Sequence, residues 1–266
     1  MLNIARKQKI YELIRKKGSV SVSELQKKLN VSDMTIRRDL AYMKNEGMIV
    51  RVHGGATVVG ILSPGELTFQ DRTTINRELK LEIAKFAISL INVNDTVSLD
   101  GSTTCAELAE ILPSDMNLTV FTNSLDVINK LRWKQGISVA SFGGQLAPDG
   151  NTFDGIVAVE NAERIWVDKC FFSGASFNAS GVLNAGIVGT AVKKQMLKNS
   201  RMKCLLADSS KFNGPGVMEL CKWPGLDVFI TDSLFPEESR AIFSAFEMKT
   251  YFVDVSPEVL ARKTEQ

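Results

Sequence analysis

The chain holds a single histidine, His53, among 266 residues. That scarcity argues against a histidine-based metal site and against a Ser-His-Asp triad, so neither a metal nor hydrolase chemistry is expected. Its four cysteines, Cys105, Cys170, Cys204 and Cys221, form no CxxC pair and sit mostly in apolar runs such as KCFF and KCLL. They read as reduced core thiols rather than a disulfide framework. No stretch approaches the roughly 18 uninterrupted apolar residues of a membrane-spanning helix. The first residues, MLNIARKQKIYELIRKKG, are charged where a signal peptide is apolar. A soluble, cytoplasmic protein with no membrane partner is the expectation.

What is present points to two domains. Apolar residues make up 44% of the chain and charged ones 23%, enough for a sizeable core at this length. Net charge is +2, yet residues 1–60 carry 12 Lys or Arg against 5 Asp or Glu, while the remainder carries 20 against 25. A basic front on a mildly acidic body implies that the front meets a polyanion.

In the front, Ile10, Leu13 and Ile14 fall at helical spacing between Ile4 and Lys17, and Gly18 stands where a helix-terminating glycine belongs. Ser21 and Glu24 form the pattern of a reciprocal capping box, followed by Leu25 and Leu29 on one face. Asn30 and Val31 then make a tight connection. Ser32 suits the cap of a third helix, over Asp33 to Glu46, with Ile36, Leu40 and Met43 turned inward. Two helices joined by a short turn make a helix-turn-helix, whose second helix enters the major groove. Outside that inward face lie Thr35, Arg37 and Arg38; arginine binds guanine bidentately or grips a phosphate, and Ser32 and Thr35 suit phosphate or base-edge contacts. MIVRVHGGATVV reads as two short strands turning at His53-Gly54-Gly55, a wing with Arg51 and His53 at its tip.

The strings VSDMTIRRDL and GMIVRVHGGA resemble the N-terminal winged helix-turn-helix of the DeoR family of bacterial transcriptional regulators. The resemblance implies that Thr35, Arg37 and Arg38 contact operator DNA from the recognition helix, and Arg51 and His53 from the wing. Domain boundaries are expected at 1–59 for this unit, with a linker over 60–76, where Gly, Pro and polar residues show no sustained periodicity, and a body over 77–266.

The body alternates short apolar runs with helical stretches. TVSLD, LTVFT, ISVASF, CFFS, CLLAD and DVFIT read as strands buried on both sides, which predicts a mostly parallel, Rossmann-like α/β sheet with helices on both faces. Ligands of such sheets lie at the C-terminal strand ends. Those ends carry Asp100-Gly101-Ser102-Thr103-Thr104, Thr122-Asn123-Ser124, Gly143-Gly144 and Ser209-Ser210-Lys211, with hydroxyls and amides at helix starts that suit an anion such as phosphate.

DGSTTCAEL, TNSLDVINKL, DKCFFSGAS and ADSSKF resemble, in order, landmarks of the C-terminal domain of the same family, a relative of ribose-5-phosphate isomerase that usually senses a phosphorylated sugar. By that resemblance Ser102, Thr103 and Thr104 hold the phosphate, Asn123 and Ser124 line the pocket, Asp168 and Lys211 reach the sugar, and Lys193 matches a family lysine. The chain departs from the pattern at LNAGIVGTAVKK, where an acidic stretch is usual. A competing reading is a sugar-phosphate isomerase fused to a DNA-binding module, with Asp168 and Lys211 as the reacting pair. Isomerases of this fold carry acids directly after the corresponding strand, and SGASFNASG has none. The expectation is therefore a sequence-specific DNA-binding regulator and not an enzyme: a homo-oligomeric repressor of a carbohydrate operon, controlled by a phosphorylated sugar or related metabolite, with no cofactor.

Overall fold

The computed structural model describes residues 3–45, 48–52, 54–58, 67–187, 189–256 and 259–260, the side chains of Asn3, Ile4 and Val58 excepted. The chain divides into two compact units, Met1–Arg77 and Glu78–Gln266.

In the first unit, α1 (Asn3–Lys17) ends in Arg15, Lys16 and Lys17, where cations complement the negative end of the helix dipole. Gly18, at φ 80°, donates its amide to Ile14 O at 2.8 Å and closes the helix. Strand β1 (Ser19–Ser21) leads into α2 (Val22–Leu29), and Asn30, in the left-handed region at φ 50°, turns the chain into α3 (Asp33–Asn45). Half of the expected capping box forms. Ser21 Oγ accepts the Glu24 amide at 3.2 Å, while the Glu24 carboxylate pairs with Lys17 instead of returning to the cap. Strands β2 (Ile49–Val52) and β3 (Gly55–Val58) make the wing, and β1 joins them in the antiparallel order β1-β3-β2. A Cβ on Gly55 would meet Val20 O at 2.3 Å, so β1 and β3 approach this closely only with glycine there. Ile10, Ile14, Leu25, Ile36, Leu40 and Met43 fill one core. Part of the expected linker is helical: α4 (Phe69–Thr74) carries a complete Thr68–Asp71 capping box, and Asp71 pairs with Lys44 at 2.7 Å. Residues 60–66 of that linker, and the expected wing-tip residue His53, lie outside the described residues.

The second unit opens with α5 (Arg77–Ile88) and then alternates β4 (Thr96–Leu99), α6 (Thr103–Ile111), β5 (Leu118–Thr122), α7 (Leu125–Leu131) and β6 (Ile137–Ser141). After the hairpin β7 (Gln145–Leu146) and β8 (Phe153–Asp154) come α8 (Ile156–Glu163) and β9 (Val167–Phe172). Strands β10 (Ser176–Asn178) and β11 (Gly181–Asn184) precede α9 (Thr190–Lys198) and β12 (Ser200–Leu206). Strand β13 (Met218–Cys221), β14 (Val228–Asp232) and β15 (Lys249–Val253) follow. The main sheet has seven strands in the order β15-β14-β12-β9-β4-β5-β6, and every pairing is parallel.

Successive strand residues serve opposite faces, which is why the runs are apolar throughout. Phe171, Cys204, Leu206, Val228 and Ile230 join the layer with α5, α6 and α7, while Cys170, Phe172, Leu205 and Phe229 join the layer with α8 and α9. The second layer is aromatic. Phe229 packs edge-on to Phe177 at 5.1 Å and to Phe243 at 5.0 Å. Strands β10, β11 and β13 form a small antiparallel sheet that the apolar runs had not announced.

Candidate nucleic-acid interface and effector crevice

Helix α3 is capped at its start by Ser32, as expected. Ser32 Oγ accepts the Thr35 amide at 3.3 Å and lies 2.9 Å from Thr35 Oγ1. Arg37 and Arg38 are both exposed, but they differ. Arg37 pairs with Asp33 one turn earlier, whereas no hydrogen bond or ion pair holds Arg38 among the described residues. The next residue of that motif works inward: Asp39, 2% exposed, binds Arg6 of α1 through Oδ2 to Nε at 2.5 Å and Oδ1 to Nη2 at 3.1 Å. This bidentate pair fixes α3 against α1. Arg51 lies on β2, half-buried, opposite Ala56 of β3.

The polar cluster of the second unit follows from strand order. From β4 the chain proceeds outward through β5 and β6, then returns to place β9 on the other side of β4 and continues outward through β12, β14 and β15. The order reverses between β4 and β9, the point where α/β sheets open a ligand crevice. Asp100 directly follows β4 and Ser173 directly follows β9.

Asp100 is fully buried. Its Oδ1 accepts the Ser102 amide at 3.0 Å, its Oδ2 accepts the Ser173 amide at 3.1 Å, and Lys193 Nζ of α9 lies 2.7 Å from Oδ2. Burial pushes the Asp100 carboxyl up, and the Lys193 ammonium with the two amide donors more than offsets it, leaving the group below the ordinary carboxylate range. Lys193 Nζ also donates to Ser173 O at 2.9 Å, and Lys211 Nζ donates to Ser173 Oγ at 2.8 Å and Gly174 O at 3.0 Å. Ser102 caps α6 by accepting the Cys105 amide at 3.2 Å, with Thr103 and Thr104 in the first turn. Ser124 caps α7 in the same way through the Val127 amide. Asn123 donates Nδ2 to Phe153 O at 3.2 Å.

Asp100, Lys193 and Lys211 thus gather around one residue that the expectations omitted, Ser173, with Ser102 joined to them through Asp100. The signal was available, since Ser173-Gly174 follows a strand as Asp100-Gly101 does. Asn151 was also missed. Buried, it accepts Ser124 Oγ at 3.2 Å and the Asp126 amide at 2.9 Å, and donates to Gly101 O at 3.4 Å, tying the loops after β4 and β5 together. In PDGN it resembles an ordinary turn residue. Gly143 and Gly144 take backbone roles: at φ 109° Gly144 faces Asp154 O, which a Cβ would meet at 2.4 Å.

Asp168 is a correction. It lies at the start of β9, at the opposite edge of the sheet from Asp100 and Ser173, because in a parallel sheet all strand starts share one edge. There its Oδ2 accepts Thr96 N at 3.0 Å and Thr96 Oγ1 at 2.6 Å, and its Oδ1 accepts Arg201 at 3.1 Å. The Thr96 bonds hold its carboxyl below the ordinary range. It staples strand starts and cannot reach a ligand at the strand ends. Among the described residues no group of three or more His, Cys, Asp or Glu is arranged to hold a metal ion, and no helix is long and apolar enough to cross a membrane.

A winged helix-turn-helix followed by a doubly wound α/β domain with a polar strand-end cluster is the architecture of a DNA-binding unit joined to a sensor domain. Residues 6–60 match the DeoR-like helix-turn-helix domain, and residues 75–233 match the DeoR C terminal sensor domain. The uncharacterized HTH-type transcriptional regulator YulB of Bacillus subtilis is 35% identical over 244 residues, covering 91% of this chain and 94% of that protein. The lactose phosphotransferase system repressor of Staphylococcus epidermidis is 33% identical, covering 91% and 97%. A solved structure of ribose 5-phosphate isomerase A from Methanocaldococcus jannaschii overlaps 52% of this chain and 55% of its own at 17% identity, with a TM-score of 0.39. The sequence matches carry the assignment: the chain belongs to the DeoR family of transcriptional regulators. The curated relatives are regulators, not enzymes.

Proposed function

We propose that this protein is a cytoplasmic repressor of an operon for carbohydrate use, and that a phosphorylated sugar or related metabolite in the crevice between β4 and β9 sets its affinity for operator DNA. One observation carries the reading. Two ammonium groups, Lys193 and Lys211, converge on Ser173 beside the hydroxyl-rich start of α6, while Thr104 Oγ1 and Asn123 Oδ1 are buried with no hydrogen-bond partner among the described residues. Buried polar atoms in a native protein find partners, so unmatched ones at strand ends favour a polar ligand. Ser102, Thr103 and Thr104 take the phosphate, and Asn123 and Ser124 the sugar hydroxyls. The naming of relatives as repressors of lactose phosphotransferase and aga systems supports the substrate class.

On the DNA side, Ser32, Thr35, Arg37 and Arg38 act from α3 and Arg51 and His53 from the wing. One winged module reads few base pairs, so the regulator works as a homo-oligomer on repeated half-sites. The metabolite acts by binding the DNA-competent and incompetent arrangements unequally, with a coupling of about 1–3 kcal/mol.

The test is a fluorescence-anisotropy titration against DNA from just upstream of the protein's own gene and a scrambled control, at two salt concentrations, with and without a panel of sugar phosphates. Specific binding that one sugar phosphate shifts several-fold is the expected result. Specific binding that no member of the panel moves removes the effector assignment.

A further inference from the structure

The outward face of α3 belongs to Met34 and Arg38. At about 100° per residue, the fully buried Ile36, Leu40 and Met43 fix the inward direction, and Met34 and Arg38, one turn apart, both stand within about 30° of its opposite. Arg37 lies about a quarter-turn aside. The three cations of this helix are not equivalent: Arg37 pairs with Asp33 and Lys44 with Asp71, leaving Arg38 as the cation free of an ion pair among the described residues.

Met34 is 80% exposed, a large apolar side chain in the first turn of a recognition helix, where the core gains nothing from it. A thioether has no proton to donate to a phosphate and is at most a weak acceptor. What it offers is a flexible, polarisable apolar surface. The major groove displays one apolar feature, the 5-methyl group of thymine, which separates a T·A pair from the other three.

We propose that Met34 reads the 5-methyl group of an operator thymine, next to the base pair addressed by Arg38. The inference rests on the reading of α3 as the DNA-contacting helix and assigns a specificity role to a residue without charge or hydrogen-bonding power.

The test selects binding sites from a random-sequence duplex library with the full-length protein and with Met34→Ala, Met34→Leu and Met34→Gln. Because Met34 is exposed, the variants should melt as wild type does. The wild type is expected to enrich a motif with an invariant thymine whose replacement by deoxyuridine, which removes only the methyl group, weakens binding about three- to fivefold. Met34→Ala should lose the preference at that one position and be indifferent to deoxyuridine, Met34→Gln should do likewise, and Met34→Leu should keep it. A motif shared unchanged by wild type and Met34→Ala overturns the inference while leaving the regulator intact. A wild type that enriches no motif overturns the DNA-reading function together with it.

Discussion

Lys193 Nζ lies 2.7 Å from Asp100 Oδ2, and both groups are anchored to Ser173, the carboxylate through the serine amide and the ammonium through its carbonyl. Three segments distant in sequence, the end of β4, the end of β9 and helix α9, are thereby locked at the strand-order reversal. A buried pair contributes modestly when whole, but removing one partner strands an uncompensated charge. Lys193→Met is expected to lower stability by about 3–5 kcal/mol in urea unfolding, with Asp100→Asn/Lys193→Met recovering part of the loss. A loss no larger than that of an exposed lysine on the same helix, such as Lys194, contradicts the lock.

Acid should dissolve the same lock. The Asp100 carboxyl is held below its ordinary value in the folded protein. A carboxyl depressed by folding adds stability above its unfolded value, about 3.9, and loses it as pH falls toward the folded value. Asp232 is pushed up by burial and opposes this trend, so whole-protein acid unfolding mixes the two. The difference between wild type and Asp100→Asn isolates the group. That gap is expected to be constant from pH 7 to about 5 and to shrink below about 4. A gap independent of pH down to 2 excludes the ion pair as its source.

On the DNA side, the ion pairing of α3 separates residues that look alike in the TIRRDL motif. Arg38→Ala is expected to weaken specific binding by about 1–3 kcal/mol and relax the preference at one base pair. Arg51→Ala should weaken all DNA about equally and reduce the salt slope by roughly one ion. Titrations at several salt concentrations on a selected site and on scrambled DNA distinguish the two. Equal affinity of Arg38→Ala and wild type for the selected site removes Arg38 from base readout.

The thiols test the packing of the sheet. Burial pushes the Cys170 and Cys221 thiols up to about 12 and those of Cys105 and Cys204 well above the ordinary range. Since the thiolate is the reactive species, an aromatic disulfide reagent at neutral pH should leave the native protein nearly untouched, half-buried Cys221 reacting first, and titrate all four thiols in urea. Rapid reaction of Cys170 in the native state is incompatible with its place between the two layers.

The fold was legible where one local signal sufficed. Helical spacing in Ile36, Leu40 and Met43 and doubly apolar runs such as CFF and CLL each encode their element within a few residues. Strand β15 and the β10-β11-β13 sheet escaped because KTYFV and SFN are short, partly polar and dependent on pairing with distant segments. The strand-end cluster was legible by the same rule. Asp100, Ser102 and Lys211 stood out as candidates because a polar residue after an apolar run marks a strand end. Asp168 was assigned to the sugar by the family resemblance alone, and its place at the start of β9 puts it at the edge opposite Asp100 and Ser173. Asp39 shows a further limit, since the letter D in RRDL gives no hint that its carboxylate points to Arg6.

The two edges of the sheet make opposite predictions for carboxylate and lysine variants. Thr103 and Lys211 stand at the strand ends, Lys211 through its bonds to Ser173 and Gly174. Thr103→Val/Lys211→Met is expected to abolish the response to sugar phosphate and leave operator affinity within about threefold, because DNA contact belongs to a separate domain. Asp168→Asn, at the strand starts, should retain the full response while losing some stability through its bonds to Thr96 and Arg201. Anisotropy with and without the active metabolite measures both. If Asp168→Asn loses the response and the double variant keeps it, the ligand sits at the strand-start edge, beside the cleft of about 270 Å³ that Thr96, Trp166, Val167, Asp168 and Arg201 line.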